Sequence, residues 1–163
     1  VAPLLEANGK SVTVIAASAL ESDMLNYFDV VYVGLLSGLA LLEDQTFDGS
    51  GLRLGESYDE LIDRETGEIY VSSEARSLAS PAFYRDYAYL ARYKAQGGAL
   101  VTIIAAERDT GLRGLSQLVA SADLSDDLQN AAENDAGFEA LVQVTGQQGA
   151  DLNERLIFAR QRD

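Results

Sequence analysis

Apolar residues in the first part of the chain fall in short runs. Residues 11–17, Ser-Val-Thr-Val-Ile-Ala-Ala, are β-branched and follow the turn-like pair Asn8-Gly9, and residues 28–34, Phe-Asp-Val-Val-Tyr-Val-Gly, repeat the pattern. Both read as buried central strands. Between them Leu20, Met24 and Tyr27 recur at helical spacing behind Ser18, a candidate N-cap. Strand, helix and strand in that order predict a right-handed βαβ unit, the nucleus of an open α/β sheet. A second helix is expected from residue 37 to 44, with Ser37 as its cap, ending before Asp48-Gly-Ser-Gly.

The middle of the chain changes character. Residues 58–64 and 69–72 flank Glu65-Thr-Gly-Glu, a short glycine-containing connection that predicts an antiparallel hairpin. Residues 72–81 are rich in Ser and Ala and read as a surface loop, with Pro81 disfavouring helix at Ser80. Beyond it Tyr87, Tyr89, Ala91 and Tyr93 alternate with Ala88, Leu90 and Arg92. Gln96-Gly-Gly makes a turn, and residues 99–106 return as a fully buried strand. A helix over 84–94 is the competing assignment.

Leu112, Leu115, Leu118 and Val119 share one helical face, and residues 125–133 form another helix, capped by Ser125 with Leu128 and Ala132 inward. Residues 138–145 and 155–160 surround Gly146-Gln-Gln-Gly and predict a last antiparallel pair closing one side of the sheet. No internal repeat and no Pro-rich linker divides the chain. The fold class is therefore α/β: one domain over 1–163, a three-layer open mixed sheet with a parallel βαβ core and antiparallel hairpin additions.

Composition narrows the chemistry. Among 163 residues, 12 Lys+Arg face 26 Asp+Glu, a formal charge of −14, with no histidine and no cysteine. Disulfides, thiolate catalysis, imidazole bases, Ser-His triads and Cys- or His-based metal sites are all excluded. Scattered cations in so acidic a chain argue against nucleic acid as a partner. Self-repulsion among the carboxylates predicts that stability rises with added salt. The excess is uneven, with 4 basic and 14 acidic side chains before residue 81, and 8 and 12 from there on. The longest nearly apolar stretch, 30–42, falls short of the about 20 residues a membrane helix needs. The first residue is Val1 and not Met, which suggests a processed chain or a piece of a longer protein.

No cofactor and no metal site are expected. Gly34-Leu-Leu-Ser-Gly38 lacks the Gly-Lys-Ser/Thr ending of a phosphate loop and the spacing of a dinucleotide turn, and Gly111-Leu-Arg-Gly114 is no better. The loop after the first run, Ala17-Ser-Ala-Leu-Glu-Ser22, is too apolar and acidic for flavin phosphate.

In an open α/β sheet, ligands bind beyond the carboxyl ends of the parallel strands. That geometry would bring together Ser18, Ser37, Gly38, Glu107, Arg108, Asp109 and Thr110, as a pocket for a small polar molecule or an anion with Arg108 as counter-charge. The plainer account is that the serines cap helices and Arg108 pairs with a surface carboxylate.

Two clusters stand apart. Glu56, Asp59, Glu60 and Asp63 lie within one short stretch but lack the order of a calcium loop, and a solvated strand edge accounts for them. Tyr84, Arg85, Asp86 and Tyr87 place Arg85 beside aromatic rings, where it could clamp a carboxylate; core tyrosines with a surface ion pair are the alternative.

The string from Asp29 to Leu39, with Gly55-Glu-Ser-Tyr-Asp-Glu-Leu-Ile-Asp63, Arg85-Asp-Tyr87 and Ile104-Ala-Ala-Glu-Arg-Asp109, resembles uncharacterised bacterial domains that form the soluble C-terminal part of membrane-tethered proteins. The resemblance spans 11–110 and carries no catalytic residue. It implies an upstream membrane anchor, an extracytoplasmic (periplasmic) location and a sensing or binding role; a cytoplasmic location stays open. The expected function is a non-catalytic module for a small polar ligand or a protein partner. A carboxylate-based hydrolase or transferase, using Glu107 or Asp109 with Arg108, is the alternative. An assembly domain docking through Tyr87 to Tyr93 is the third.

Overall fold

The alternation along β5 (Tyr84–Lys94) decides what lies on each side of the main sheet. Tyr87, Tyr89, Ala91 and Tyr93 pack into one core and Ala88 and Leu90 into a second. The computed structural model describes residues 1–74, 83–121, 125–133, 137–147 and 150–162, the side chains of 147 and 150–152 excepted. On one flank of β5 runs β6 (Leu100–Ala106), antiparallel to it, and on the other β7 (Phe138–Gln147), itself paired with β8 (Ala150–Gln161). Outside β6, β1 (Val30–Leu35) runs parallel, in register from Val30 opposite Val101 to Leu35 opposite Ala106. The order β1-β6-β5-β7-β8 makes a mixed five-stranded sheet.

Each face of that sheet is covered. Helices α3 (Asp109–Ala120) and α4 (Asp126–Ala132) lie over Ala88, Leu90, Ile104, Val142 and Val144. Leu115, fully buried there, contributes about 1.5–3 kcal/mol by burial. Leu112, Leu118 and Val119 pack beside it on the face expected from their spacing. Ser125 caps α4, its hydroxyl accepting the Leu128 N–H at 3.4 Å. The opposite face is covered by helix α2 (Glu43–Asp48) and by a separate sheet of β2 (Leu52–Leu54), β3 (Glu60–Asp63) and β4 (Ile69–Val71), in that order. Phe47, Leu52, Leu61 and Tyr70 close the tyrosine core from there. The α/β class, the mixed sheet and both central hairpins stand as expected, and residues 84–94 are strand and not helix. The expected loop over 72–81 lies, from residue 75 on, outside the described residues.

The N-terminal assignments are corrected. After a short helix α1 (Ala2–Ala7), residues 11–16 form no strand, and Ala17–Ala19 is a 3-10 turn. The expected crossover helix is reduced to a 3-10 segment, Ser22–Asn26, that buries Leu25. No βαβ unit results, because the parallel partner of β1 is β6, far along the chain. β-Branched residues favour strands only where a neighbour supplies pairing and cover. Residues 11–16 lack both, and Val14 is 80% exposed. The helix expected at 37–44 is two 3-10 turns, Leu36–Gly38 and Ala40–Leu42, running into α2, and neither Ser18 nor Ser37 makes a capping hydrogen bond. Among the described residues no helix is long and apolar enough to cross a membrane.

Candidate functional site

The parallel pair ends at Leu35 and Ala106, and the chain leaves β6 through Glu107 and Arg108 into α3. The first peptide N–H groups of α3 need acceptors. They find them in carboxylates from other elements. Asp86 of β5, buried on the helix face in line with Ala88 and Leu90, accepts the Gly111 N–H at 2.6 Å and the Arg108 N–H at 3.2 Å through Oδ2. Its Oδ1 accepts the Tyr87 N–H at 2.9 Å. Glu74 Oε2 accepts the Thr110 N–H at 3.3 Å. A Cβ on Gly111 would stand 2.7 Å from Asp86 Oδ2, so glycine permits the approach.

Glu107 is held by its backbone, whose N–H donates to Tyr87 O at 3.0 Å. Its side chain is 2% exposed, on the side of Leu61 and Ser72. Among the described residues neither carboxyl oxygen has a hydrogen-bond partner, nor have the buried hydroxyls of Ser72 and Thr110. Burial pushes the Glu107 carboxyl up to about 10, reinforced by the negative charges of Asp86 and Asp59, while the peptide groups of Ser72 and Leu61 offset only part of this. Burial also lifts Asp86, to about 6; the Gly111 and Tyr87 N–H groups and the nearby Ser72 hydroxyl hold it down, and Glu74 pushes it up. Ser72 Oγ influences Asp86 at close range without the geometry of a hydrogen bond. Two adjacent carboxyls thus titrate far apart, Glu107 protonated and Asp86 largely ionised at neutral pH.

Arg108 is not a spare cation. Its Nε and Nη2 donate to the two Asp59 oxygens at 2.6 and 2.7 Å. The N–H groups of Arg108, Thr110 and Gly111 at the start of α3 are likewise engaged, by Asp86 and Glu74. Asp109 is exposed, and Thr110 is buried in the first turn of α3. Ser37 and Gly38 follow β1 at the same end of the sheet but are exposed. Ser18 is exposed in its own 3-10 turn, and no hydrogen bond ties it to the buried carboxyls. Arg85 is exposed, while its neighbour Asp86 turns inward to α3 and not into a surface ion pair.

The acidic stretch is also redistributed. β3 is the centre strand of the smaller sheet and not a solvated edge, with Asp63 buried and bound to Arg160 Nη1 at 2.8 Å. Burial raises Asp63, but the Thr66 N–H, Arg160 and the Glu65 N–H outweigh it and hold the carboxyl below its ordinary value.

A second buried polar network lies under the tyrosine core. Glu139 of β7 accepts from Ser50 Oγ at 2.5 Å, Tyr89 OH at 2.9 Å, Gly51 N at 3.1 Å and Arg160 Nε at 2.7 Å. Arg162 Nη1 donates to Tyr89 OH at 2.8 Å. Both Glu139 oxygens are engaged, so this network ties the smaller sheet to the larger, while Arg160 Nη2 and Arg162 Nε stay buried with no partner among the described residues.

An open groove of about 600 Å³ runs between α4 and β8, lined by Ser125, Asp127, Asn130, Leu156 and Phe158 among others. Its cation, Arg160, is already shared between Asp63 and Glu139. Among the described residues no three acids come close enough together to hold a metal ion.

Sequence reasoning singled out Glu107 and Thr110, named Asp86 only beside Arg85 in a tyrosine cluster, and passed over Ser72 and Glu139. Asp86 and Glu139 had a signal: each shares strand parity with inward apolar residues, Ala88 and Leu90 for the first and Leu141 for the second. Ser72 had none. Compared with protein-family models, curated proteins and solved structures, the chain finds no significant match.

Proposed function

We propose that this chain is a non-catalytic binding domain that holds a small polar ligand at the end of β6, between Asp86, Glu107, Ser72 and Thr110. One observation carries the reading. Four buried polar atoms without partners, two from Glu107 and one each from Ser72 and Thr110, belong to residues around the buried Asp86. Buried polar groups are nearly always satisfied, so such a group of orphans calls for ordered water or a ligand. The tyrosine face that an assembly domain would use is covered by α2 and the smaller sheet, which favours a ligand over docking through Tyr87 to Tyr93.

The second reading, a carboxylate-based hydrolase or transferase, draws on the divergent titration of Asp86 and Glu107. It is weaker because the cation that would steady a transition state is bound to Asp59. The lack of cysteine and the resemblance to soluble parts of membrane-tethered bacterial proteins support an extracytoplasmic place within a larger protein, which cell fractionation with an antibody to this domain would test.

The binding reading is tested by thermal unfolding against a panel of small polar metabolites, since a ligand of the folded state raises the melting temperature. The expected result is a saturable rise in wild type, kept in Arg108→Ala and lost in Glu107→Gln. A panel that moves nothing, or a shift indifferent to Glu107, overturns it.

A further inference from the structure

We propose that the site at the end of β6 takes the protonated amino group of a small primary amine, with Glu107 as its counter-ion. The inference rests on the binding reading and adds the ligand's chemical class.

The lining sets the polarity. Asp86 from β5, Glu107 from the end of β6, Glu74 after β4 and Asp59 before β3 are all acidic, and Asp59 is neutralised by Arg108. Of the N–H groups at the start of α3, those of Arg108, Thr110 and Gly111 already donate to Asp86 and Glu74. Among the described residues, the atoms left without a partner here are oxygens: both of Glu107 and the Ser72 and Thr110 hydroxyls. Hydroxyls can accept as well as donate, whereas an ammonium group brings three donors and no acceptor. An ammonium therefore satisfies this lining, whereas a carboxylate or phosphate would be repelled by the Asp86 and Glu74 charges. Among the described residues no three acids stand close enough together to hold a metal ion.

The balance is simple. An alkylammonium ion and the neutral Glu107 acid become an ammonium–carboxylate pair, and one proton goes to the buffer, with no bond to the ligand made or broken. Asp86 and Asp59, whose charges oppose ionisation of Glu107 in the free protein, then face an added positive charge. Tyr87 packs at the same end and stays neutral, burial raising its hydroxyl further.

The probe is methylammonium chloride, with tetramethylammonium chloride at equal concentration as the ionic control. Thermal unfolding is combined with titration calorimetry in two buffers of different ionisation enthalpy. The expected result is a shift in melting temperature with methylammonium alone, release of one proton per ligand, and apparent affinity rising about tenfold per pH unit between about pH 6 and 8. Glu107→Gln loses the proton release and the pH dependence. Ser72→Ala, which leaves the carboxyl in place, keeps the proton release and weakens binding about fivefold or more. Equal shifts with both salts, or binding without proton release, overturn the amine assignment. A panel compound without a basic nitrogen that depends on Glu107 also overturns it while sparing the binding reading. Silence across amines and panel alike sinks both.

Discussion

Asp86 on the central strand and Gly111 in the first turn of α3 are joined by a 2.6 Å hydrogen bond from the Gly111 N–H to Asp86 Oδ2, so a strand side chain closes the helix's N-terminus. The same oxygen takes the Arg108 N–H, and the arrangement places a carboxylate at the positive end of the helix dipole. Asp86→Asn leaves one oxygen for three N–H groups and should destabilise the fold by about 1–3 kcal/mol. Urea denaturation measures this, and an unchanged midpoint would mean that α3 starts without Asp86.

Glu107 and Asp86 both hold their protons more tightly in the folded chain than in the unfolded one. Asp86 rises from 3.8 to about 6 and Glu107 from 4.5 to about 10, each first by burial. The stability this confers is complete below those lower values and is lost as pH climbs through the upper ones. Stability should therefore fall from pH 6 to 9, by at most about 1.4 kcal/mol per pH unit for the Glu107 proton. Asp63, held low, acts in the opposite sense and loses its contribution as pH falls through its depressed value. Glu107→Gln should flatten the alkaline decline; a wild-type profile that is already flat there contradicts burial of an uncharged Glu107.

Removing Glu139 should be more damaging than removing any surface acid. Glu139→Ala leaves the Arg160 and Arg162 guanidiniums, Tyr89 OH and Ser50 Oγ without their shared acceptor. A loss of about 3–5 kcal/mol is expected, with Glu139→Gln costing less. Thermal unfolding of the two variants side by side would show the difference.

Gly114 lets α3 settle on β7. A Cβ there would come within 2.7 Å of Val144 Cγ1 and 2.8 Å of Cγ2. Gly114→Ala gains helix propensity but overpacks the contact, so a net destabilisation of about 1–3 kcal/mol is expected. A stabilised variant in calorimetry would mean the helix stands further off.

Arg108→Ala should matter little to folding. Its side chain is 44% exposed, and the pair with Asp59 is solvent-screened, so the change should cost less than about 1 kcal/mol. Chemical denaturation checks this; a larger loss would make Arg108 a structural clasp between the end of β6 and the smaller sheet.

Much of the β-structure was readable because alternation is a local property. Tyr87, Tyr89, Ala91 and Tyr93 sort themselves from Ala88 and Leu90 on any extended backbone, and Gly98, with φ of +93°, turns the chain where the Gln-Gly-Gly segment was expected to. Residues 11–17 misled for the converse reason, since a strand needs a hydrogen-bonding neighbour and local composition cannot supply one. The site was half legible. Glu107 and Thr110 follow from the rule that ligands gather beyond strand ends, but Ser72 reaches them only because the smaller sheet folds over that end.

Composition alone excluded thiol, imidazole and disulfide chemistry, and periodicity alone marked the tyrosine face, the apolar stripe of α3 and the Ser125 cap, because each depends on residues adjacent or a few positions apart. Packing decided the rest. It set β1 beside β6, turned Asp86 onto the amides of α3, bound Arg108 to Asp59 and shut Glu107 away from water. Those outcomes depend on groups tens of residues apart, and the strength of a charge in a protein is set by the neighbours and solvent that the fold places around it.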